Sequence, residues 1–370
     1  MDILWLLSGL ALGWGGARLR HNGLLFGFWG CGIGLLLSTS LLMIWKNSGW
    51  APPAMAAVSL WALLLVAEIV RRHACEAREK ARLKGVFQRC VSPSVAEQIL
   101  NSHSLEELLA GKTTEATVLF FDIRGFSSAA EKLAAEHLLH SLNRHLEIIV
   151  KNVLAHGGMI NNFLGDAVLA VFNCPLPLEN SRSQALRCFL ACRENLGNLA
   201  TDRPQNIPFD CAQDRPVNFS FGAGLNHGRV VAGGVGSQDR FNYSVIGDEV
   251  NLAARLESLT RHYPVDIILS GPVFQGLDEG LAANCLRMDR VTVKGRENPL
   301  NLYTLLELSA EDRARHQAAL DSYLKGKFKE AAAVWEKLDH PLFRFMAGRC
   351  KQFTATPPES WPGYFSWTEK

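Results

Sequence analysis

A Gly-Asp pair, Gly165-Asp166, stands between the apolar stretches Phe163–Leu164 and Val168–Phe172. Such a dipeptide between two apolar runs is the sequence of a tight hairpin. The segment GMINNFLGDAVLAVF, from Gly158 to Phe172, is therefore predicted to turn back on itself with Asp166 at its tip. Upstream, TVLFFDIRGFS runs from Thr117 to Ser127, and its apolar part Val118–Phe121 reads as a short buried strand that delivers Asp122. If the two strands are neighbours, the carboxylates converge. Like charges at short range oppose each other's ionisation, so such a pair holds a hard cation such as Mg²⁺ or shares a proton. Taken singly, Asp122 reads equally well as a helix N-cap and Asp166 as an ordinary turn residue.

A chain of 370 residues has room for about two domains. Its formal charge of +2, with no basic stripe interleaved with aromatics, argues against a nucleic-acid partner. The nine cysteines are scattered without a CxxC pair, as expected for small core residues of a reduced domain.

The first seventy residues differ in kind. Ile3–Gly16 is apolar but short, Leu24–Trp45 is uncharged over 22 residues, and Ala54–Val70 is apolar except for Glu68. These read as about three transmembrane helices of a membrane region at residues 1–70. A signal peptide competes for the first segment, but Asp2 replaces the positive start that a leader needs. Arg71, Arg72, Arg78, Lys80, Arg82 and Lys84 follow the third segment, and the positive-inside rule puts everything after them in the cytoplasm. The expectation is a multi-pass protein of the cell's inner (plasma) membrane.

Residues 71–110 read as a helical linker broken at Ser92-Pro93. Ser127–Leu154 is predicted as one long amphipathic helix with Leu138, Leu142, Leu146, Ile149 and Val153 on its buried face. The amides around its start, Ile123–Ser127, suit phosphate oxygens. Ser181–Leu199 is a second helix, and the proline-marked stretch 202–216 a surface insertion. Val217–Leu225 and Arg229–Val235 read as strands joined by a turn at Asn226-His227-Gly228, with no chemistry for His227. Glu249–Thr260 is a helix on which Asn251 and Arg255, four apart, share a face. Strands follow at Asp266–Ser270, Arg290–Gly295 and Asn301–Leu306. Residues 309–370 form a helical C-terminal extension, with helices at Ala314–Leu324, Lys329–Leu338 and Leu342–Gln352 that pack as a cap.

Three segments, FFDIRGFS, NNFLGDAVLAVF and NYSVIGDEVNLAARLES, resemble in order and spacing the signature blocks of the class III adenylate/guanylate cyclase family. The resemblance spans Glu115 to Leu306. It implies an α/β (α+β) fold, a ferredoxin-like class III cyclase catalytic domain at residues 111–308, preceded by the transmembrane helices and followed by the small helical tail. VFQRCVSPSVAEQIL resembles the connector of bacterial receptor-type cyclases, in which a sensor domain often precedes the helices; no such domain is expected here.

By the same resemblance, two divalent metal ions, Mg²⁺ or Mn²⁺, bind Asp122, Asp166 and the Ile123 carbonyl. Asn251 and Arg255 orient the ribose and stabilise charge on the α-phosphate, a task suited to a planar guanidinium. Lys294 meets the terminal phosphates, and Gly125, Phe126 and Ser127 lie along the substrate. Metal ligands and nucleotide contacts come from opposite subunits of a head-to-tail homodimer.

The base-reading positions depart from the family pattern. Asn162 stands where a lysine is common, and Ser244 where an aspartate or threonine is. Either side-chain oxygen can meet the N6 donor of adenine, and no acidic partner for guanine is evident. The expectation is an adenylate cyclase converting ATP to cyclic AMP and pyrophosphate in signal transduction. A guanylate cyclase, or a catalytically weak nucleotide-binding regulatory module, is the alternative.

Overall fold

The computed structural model describes residues 111–131, 133–199, 219–236 and 241–367, with a few helical positions between 46 and 78. The chain divides into two compact units, residues 1–85 and 86–370. In the first, Glu68 accepts from Arg71 at 2.8 Å and from Arg72 at 3.2 Å across one helical turn. The three expected membrane spans, most of the linker and the 202–216 insertion lie outside the described residues. Among the described residues, no helix is long and apolar enough to cross a membrane.

The second unit is built on β1 (Lys112–Arg124), β2 (Met159–Leu164), β3 (Ala167–Phe172), β4 (Ser220–Gly236), β5 (Phe241–Ile246), β6 (Ile267–Ser270), β7 (Cys285–Val293), β8 (Leu300–Leu305) and β9 (Phe365–Trp367). Its helices are α1 (Phe126–Ala130), α2 (Ala135–Ala155), α3 (Ser181–Leu199), α4 (Asp248–Leu259), α5 (Gly271–Phe274), α6 (Glu279–Ala283), α7 (Ala310–Leu324), α8 (Phe328–Trp335) and α9 (Pro341–Ala355). One mixed sheet runs β2-β3-β1-β4-β6-β8-β7-β9, with β5 attached to β4.

Both faces of this sheet are covered, which is why its central strands read as unbroken apolar runs. In β1, Leu119 and Phe121 pack with Ile149 and Val153 of α2 and with Phe189 of α3. Val118, the residue before them, packs with Ala253 of α4 on the opposite face. β6 divides in the same way: Ile267 and Leu269 face α2 and α3, and Ile268 joins the cluster around α4. The fold is thus a mixed α/β sandwich, as expected for the catalytic region.

Two local expectations are corrected. The helix foreseen over Ser127–Leu154 is broken into α1 and α2, and the buried stripe of α2 is Ser141, His145, Ile149 and Val153. His145 fits that stripe because its Nδ1 donates to the Ser141 carbonyl and its Nε2 accepts the Phe219 N–H. Leu138, Leu142 and Leu146 are only part-buried. The turn foreseen at Asn226-His227-Gly228 does not exist. β4 runs straight through it, paired with β1 at Val118↔Asn226, Thr117↔His227 and Ala116↔Gly228. The polar side chains there find partners inside the fold: Asn226 Nδ2 donates to Glu249, and His227 Nδ1 meets Thr117 Oγ1 at 2.9 Å, while Asn226 Oδ1 stays buried without a hydrogen bond.

Beyond β8, α7–α9 share a core with the catalytic region. Trp335, Tyr323, Phe343 and Met346 are fully buried in one cluster with Leu252 and Leu256 of α4 and Met288 of β7. β9 then adds to the sheet edge in parallel with β7, pairing Val291↔Phe365 and Val293↔Trp367.

Candidate active site

The hairpin between β2 and β3 has Gly165 and Asp166 as its two turn residues, with Leu164 and Ala167 paired across it. Gly165 takes the left-handed φ of +72° that the turn requires, at no steric cost for a residue without Cβ. Across the next ladder, Ala167 is the partner of Asp122. Asp166 therefore lies one residue from the position facing Asp122. The two carboxylates line one cavity of about 430 Å³ with Ile123, Arg124, Gly125, Phe126, Ser128 and Arg261.

Asp122 is 6 % exposed, and its Oδ2 accepts from Arg261 Nη2. Burial raises the pKa of Asp166, and the charge of Asp122 raises it further. Glu257 of α4, buried and 4.0 Å from Arg261 Nε, is pushed up to about 7 by burial and by Asp122. The cavity thus sets two carboxylates, Asp122 and Asp166, against two guanidinium groups, Arg124 and Arg261. Among the described residues, no group of three or more His, Cys, Asp and Glu could hold a metal. The donor set of Asp122, Asp166 and the Ile123 carbonyl nonetheless fits a hard cation, because Mg²⁺ is usually held through one or two carboxylates and completes its shell with water and phosphate.

A second group of residues gathers around α4, and none of it lines this cavity. Asn251 is exposed on the first turn of α4, and Arg255 lies one turn on. The Arg255 guanidinium packs under the turn that follows β7: a Cβ placed on Gly295 would lie 3.4 Å from Nη2. Lys294, exposed, precedes Gly295 in that turn. Arg296 fastens the turn to α4 through Asp248 at 2.8 Å and Glu249 at 2.5 Å. Of the carboxylates that α4 offers Arg255, Glu249 is engaged by Arg296, and Glu257 lies 4.0 Å from Arg261 Nε. Arg255 Nη1 is buried with no hydrogen-bond partner. A buried guanidinium nitrogen left unpaired is costly, and Arg124 Nε and Arg287 Nε share that state.

Ser244 lies in β5 and Asn162 is exposed on β2, yet it is the neighbouring Asn161 that bonds Ser244 Oγ, at 3.1 Å. Gly125 and Phe126 line the carboxylate cavity, and Ser127 is the second residue of α1. Sequence reasoning missed Arg124, Arg261 and Asn161. Arg261 carried a faint signal, since it stands four residues after Glu257 on the extension of α4. Arg124, whose Nη2 donates to the carbonyls of Thr260 at 2.7 Å and Val265 at 2.9 Å, carried none.

The family model described as the adenylate and guanylate cyclase catalytic domain matches residues 108–307. An uncharacterized protein of Mycobacterium tuberculosis is 33% identical over 225 residues, which are 61% of this chain and 38% of that protein. The adenylate cyclase of Anabaena cylindrica is 30% identical over 220 residues, 59% of this chain and 42% of that enzyme. The chain thus spans about two fifths of the length of these curated relatives. Among solved structures, the adenylyl cyclase CyaB from P. aeruginosa is 29% identical, with 54% of this chain and 97% of that one covered, at a TM-score of 0.46. The guanylyl cyclase Cya2 is 25% identical, with 54% and 95% covered, also at 0.46. Because that family model matches more than half of its length, the chain belongs to the adenylate and guanylate cyclase catalytic domain family.

Proposed function

We propose that this protein is an adenylate cyclase that forms cyclic AMP and pyrophosphate from ATP as a head-to-tail homodimer. The observation that carries the reading is the division of the site: Asp122 and Asp166 line one cavity, while Arg255, with a buried unpaired nitrogen, lies outside it. A second copy of the chain would bring an Arg255 to each carboxylate pair. The exposed apolar side chains Phe163 and Leu164, beside Asp166, and Val231 and Ile246, paired across β4 and β5, suit such an interface.

In this reading Asp122, Asp166 and the Ile123 carbonyl hold divalent metal ions, which when bound ease ionisation of the attacking hydroxyl and offset the triphosphate charge. The protein itself positions and stabilises. Asn251 orients the ribose so that its 3′-oxygen faces the α-phosphate. The fixed fork of Arg255 accepts the charge that grows on the α-phosphate oxygens. Lys294 steadies the departing pyrophosphate. A guanylate cyclase is the second reading, favoured by the absence of a lysine at Asn162. Three helices within residues 1–70 would anchor the chain in the cell's inner membrane, and an alkaline carbonate wash that strips it from membranes would refute that anchoring.

The test is product formation by the full chain from ATP or GTP, with Mg²⁺ or Mn²⁺, beside Asp122→Ala and Arg255→Ala. Each variant alone is expected to be inactive. Mixed and allowed to exchange subunits, they should regain about a quarter of wild-type activity, since half the dimers then carry one intact site of two. Cyclic GMP as the product would move the assignment to the guanylate reading. No product from either nucleotide refutes the cyclase reading.

A further inference from the structure

Asn161 is the extra residue of a β-bulge. Ile160 pairs with Ala170 and Asn162 with Leu169, so Asn161 faces no residue across the ladder. Its side chain reaches β5 instead. Asn161 Oδ1 accepts the Val245 N–H at 3.1 Å, and Nδ2 donates to Ser244 Oγ at 3.1 Å.

The polarity of this stitch is fixed by chemistry. A main-chain N–H can only donate, so the atom facing Val245 must be the amide oxygen, and the atom facing Ser244 must be the amide nitrogen. An NH₂ group cannot accept, so the Ser244 hydroxyl proton is turned away from Asn161. Among the described residues, Ser244 Oγ has no other hydrogen bond.

We propose that Asn161 is a specificity-determining positioning residue, holding the Ser244 hydroxyl as a donor toward an acceptor on the pairing edge of the nucleotide base, N1 of adenine. The inference rests on the cyclase reading, which is what places a base at Ser244. Adenine presents an acceptor at N1 beside the N6 amino group, and the exposed Asn162 carbonyl oxygen can answer the amino group. Guanine carries a hydrogen on N1, so two donors would face each other. Replacing Asn161 by aspartate reverses the arrangement: the carboxylate accepts from both Val245 N–H and Ser244 O–H, and Ser244 offers the base only lone pairs.

The experiment is displacement of a fluorescent purine nucleotide from the full chain by ATP, GTP and 1-deaza-ATP, which lacks the N1 acceptor, with product formation followed in parallel. The proteins are wild type, Asn161→Asp, Ser244→Ala and the double variant. The wild type is expected to bind ATP on the order of tenfold tighter than 1-deaza-ATP, the worth of one hydrogen bond. Asn161→Asp should abolish that preference and shift the ATP-to-GTP ratio toward GTP by on the order of tenfold. In the Ser244→Ala background it should add nothing, since one residue acts through the other. If Asn161→Asp does not fold, Ser244→Ala, which keeps the stitch to Val245, must still lose the preference for ATP over 1-deaza-ATP. Equal weakening of all three nucleotides, or additive effects in the double variant, overturns the proposal. The expected ratios without any product refute the cyclase reading and leave the role of Asn161 standing. No binding of any nucleotide overturns both.

Discussion

The guanidinium of Arg261 donates to Asp122 Oδ2, so a side chain brings positive charge directly onto one of the cavity's two carboxylates. The Arg261 side chain is 62% exposed and that of Asp122 only 8%. An ion pair with one partner in water is weak, so a divalent ion bound at Asp122, as proposed, would displace such a partner. Glu257, 4.0 Å from Arg261 Nε, lies ready to receive the released guanidinium.

Arg261→Ala removes this competitor. The Mg²⁺ concentration for half-maximal activity is expected to fall about three- to tenfold, equivalent to about 1 kcal/mol. Without metal the variant should melt lower than wild type, because Asp122, Asp166 and Glu257 then repel one another with less compensation. A Mg²⁺ titration with the same midpoint in both proteins would show that Arg261 does not compete.

Gly224 marks the closest approach of β4 and α4. A Cβ there would lie 2.1 Å from the Ala253 carbonyl oxygen and 2.3 Å from the Glu257 nitrogen, both main-chain atoms of the helix that carries Asn251 and Arg255. Gly224→Ala must push that helix off the sheet, at a cost of about 3 kcal/mol. The denaturation midpoint and cyclic nucleotide formation should fall together. Gly280→Ala, with nothing within 4 Å of the new methyl group, should change neither.

These relationships also explain how far the sequence could be read. Asp122 and Asp166 were legible because their strands are apolar on both faces and the Gly165-Asp166 turn admits few geometries. The placement of Asn251 and Arg255 one turn apart on a single helix was legible through helical spacing. His227 was misplaced because a polar triplet inside a central strand imitates a turn, and only the partners, Thr117 for His227 and Glu249 for Asn226, reveal otherwise. The buried face of α2 was misjudged because His145 is made apolar in effect by two hydrogen bonds that the sequence does not show. Asn161 was passed over because its bond to β5 depends on a one-residue bulge that the sequence does not show.

Arg349 of α9 and Asp289 of β7 form a buried ion pair at 2.5 Å, with Asp289 fully buried. The hydroxyl of Tyr263, just past α4, donates to the same carboxylate, and Arg349 Nη2 donates to that hydroxyl at 3.1 Å. Arg349→Met leaves Asp289 charged and enclosed, and should cost about 3–5 kcal/mol. Adding Asp289→Asn should restore part of the loss. Because the pair ties the C-terminal helices to the catalytic region, denaturant unfolding of residues 111–367 should remain one transition that shifts as a whole. A separate early transition for the tail in Arg349→Met would refute this coupling.

His316 makes the docking of the same tail sensitive to acid. Its Nδ1 accepts from the Trp335 indole N–H at 3.0 Å, and its Nε2 lies 2.8 Å from the Arg287 carbonyl. Indole only donates and a carbonyl only accepts, so the ring is neutral with its hydrogen on Nε2. Burial, and to a lesser extent the charge of Arg313, hold its pKa below the usual 6.5, against the pull of the Arg287 carbonyl. The unfolded chain therefore takes up a proton at this residue at higher pH than the folded one. Its contribution to stability is complete above about pH 6.5 and is lost progressively as the pH falls toward the folded pKa. His316→Phe removes the titration but strands the Trp335 N–H, and should be less stable at pH 8 by about 1–3 kcal/mol. Melting curves of the two proteins between pH 8 and pH 5 isolate this one histidine, since the other ten are common to both. The wild type should lose its advantage below pH 6.5 as the curves converge. Parallel curves would mean that His316 accepts a proton without cost and that the acid sensitivity lies elsewhere.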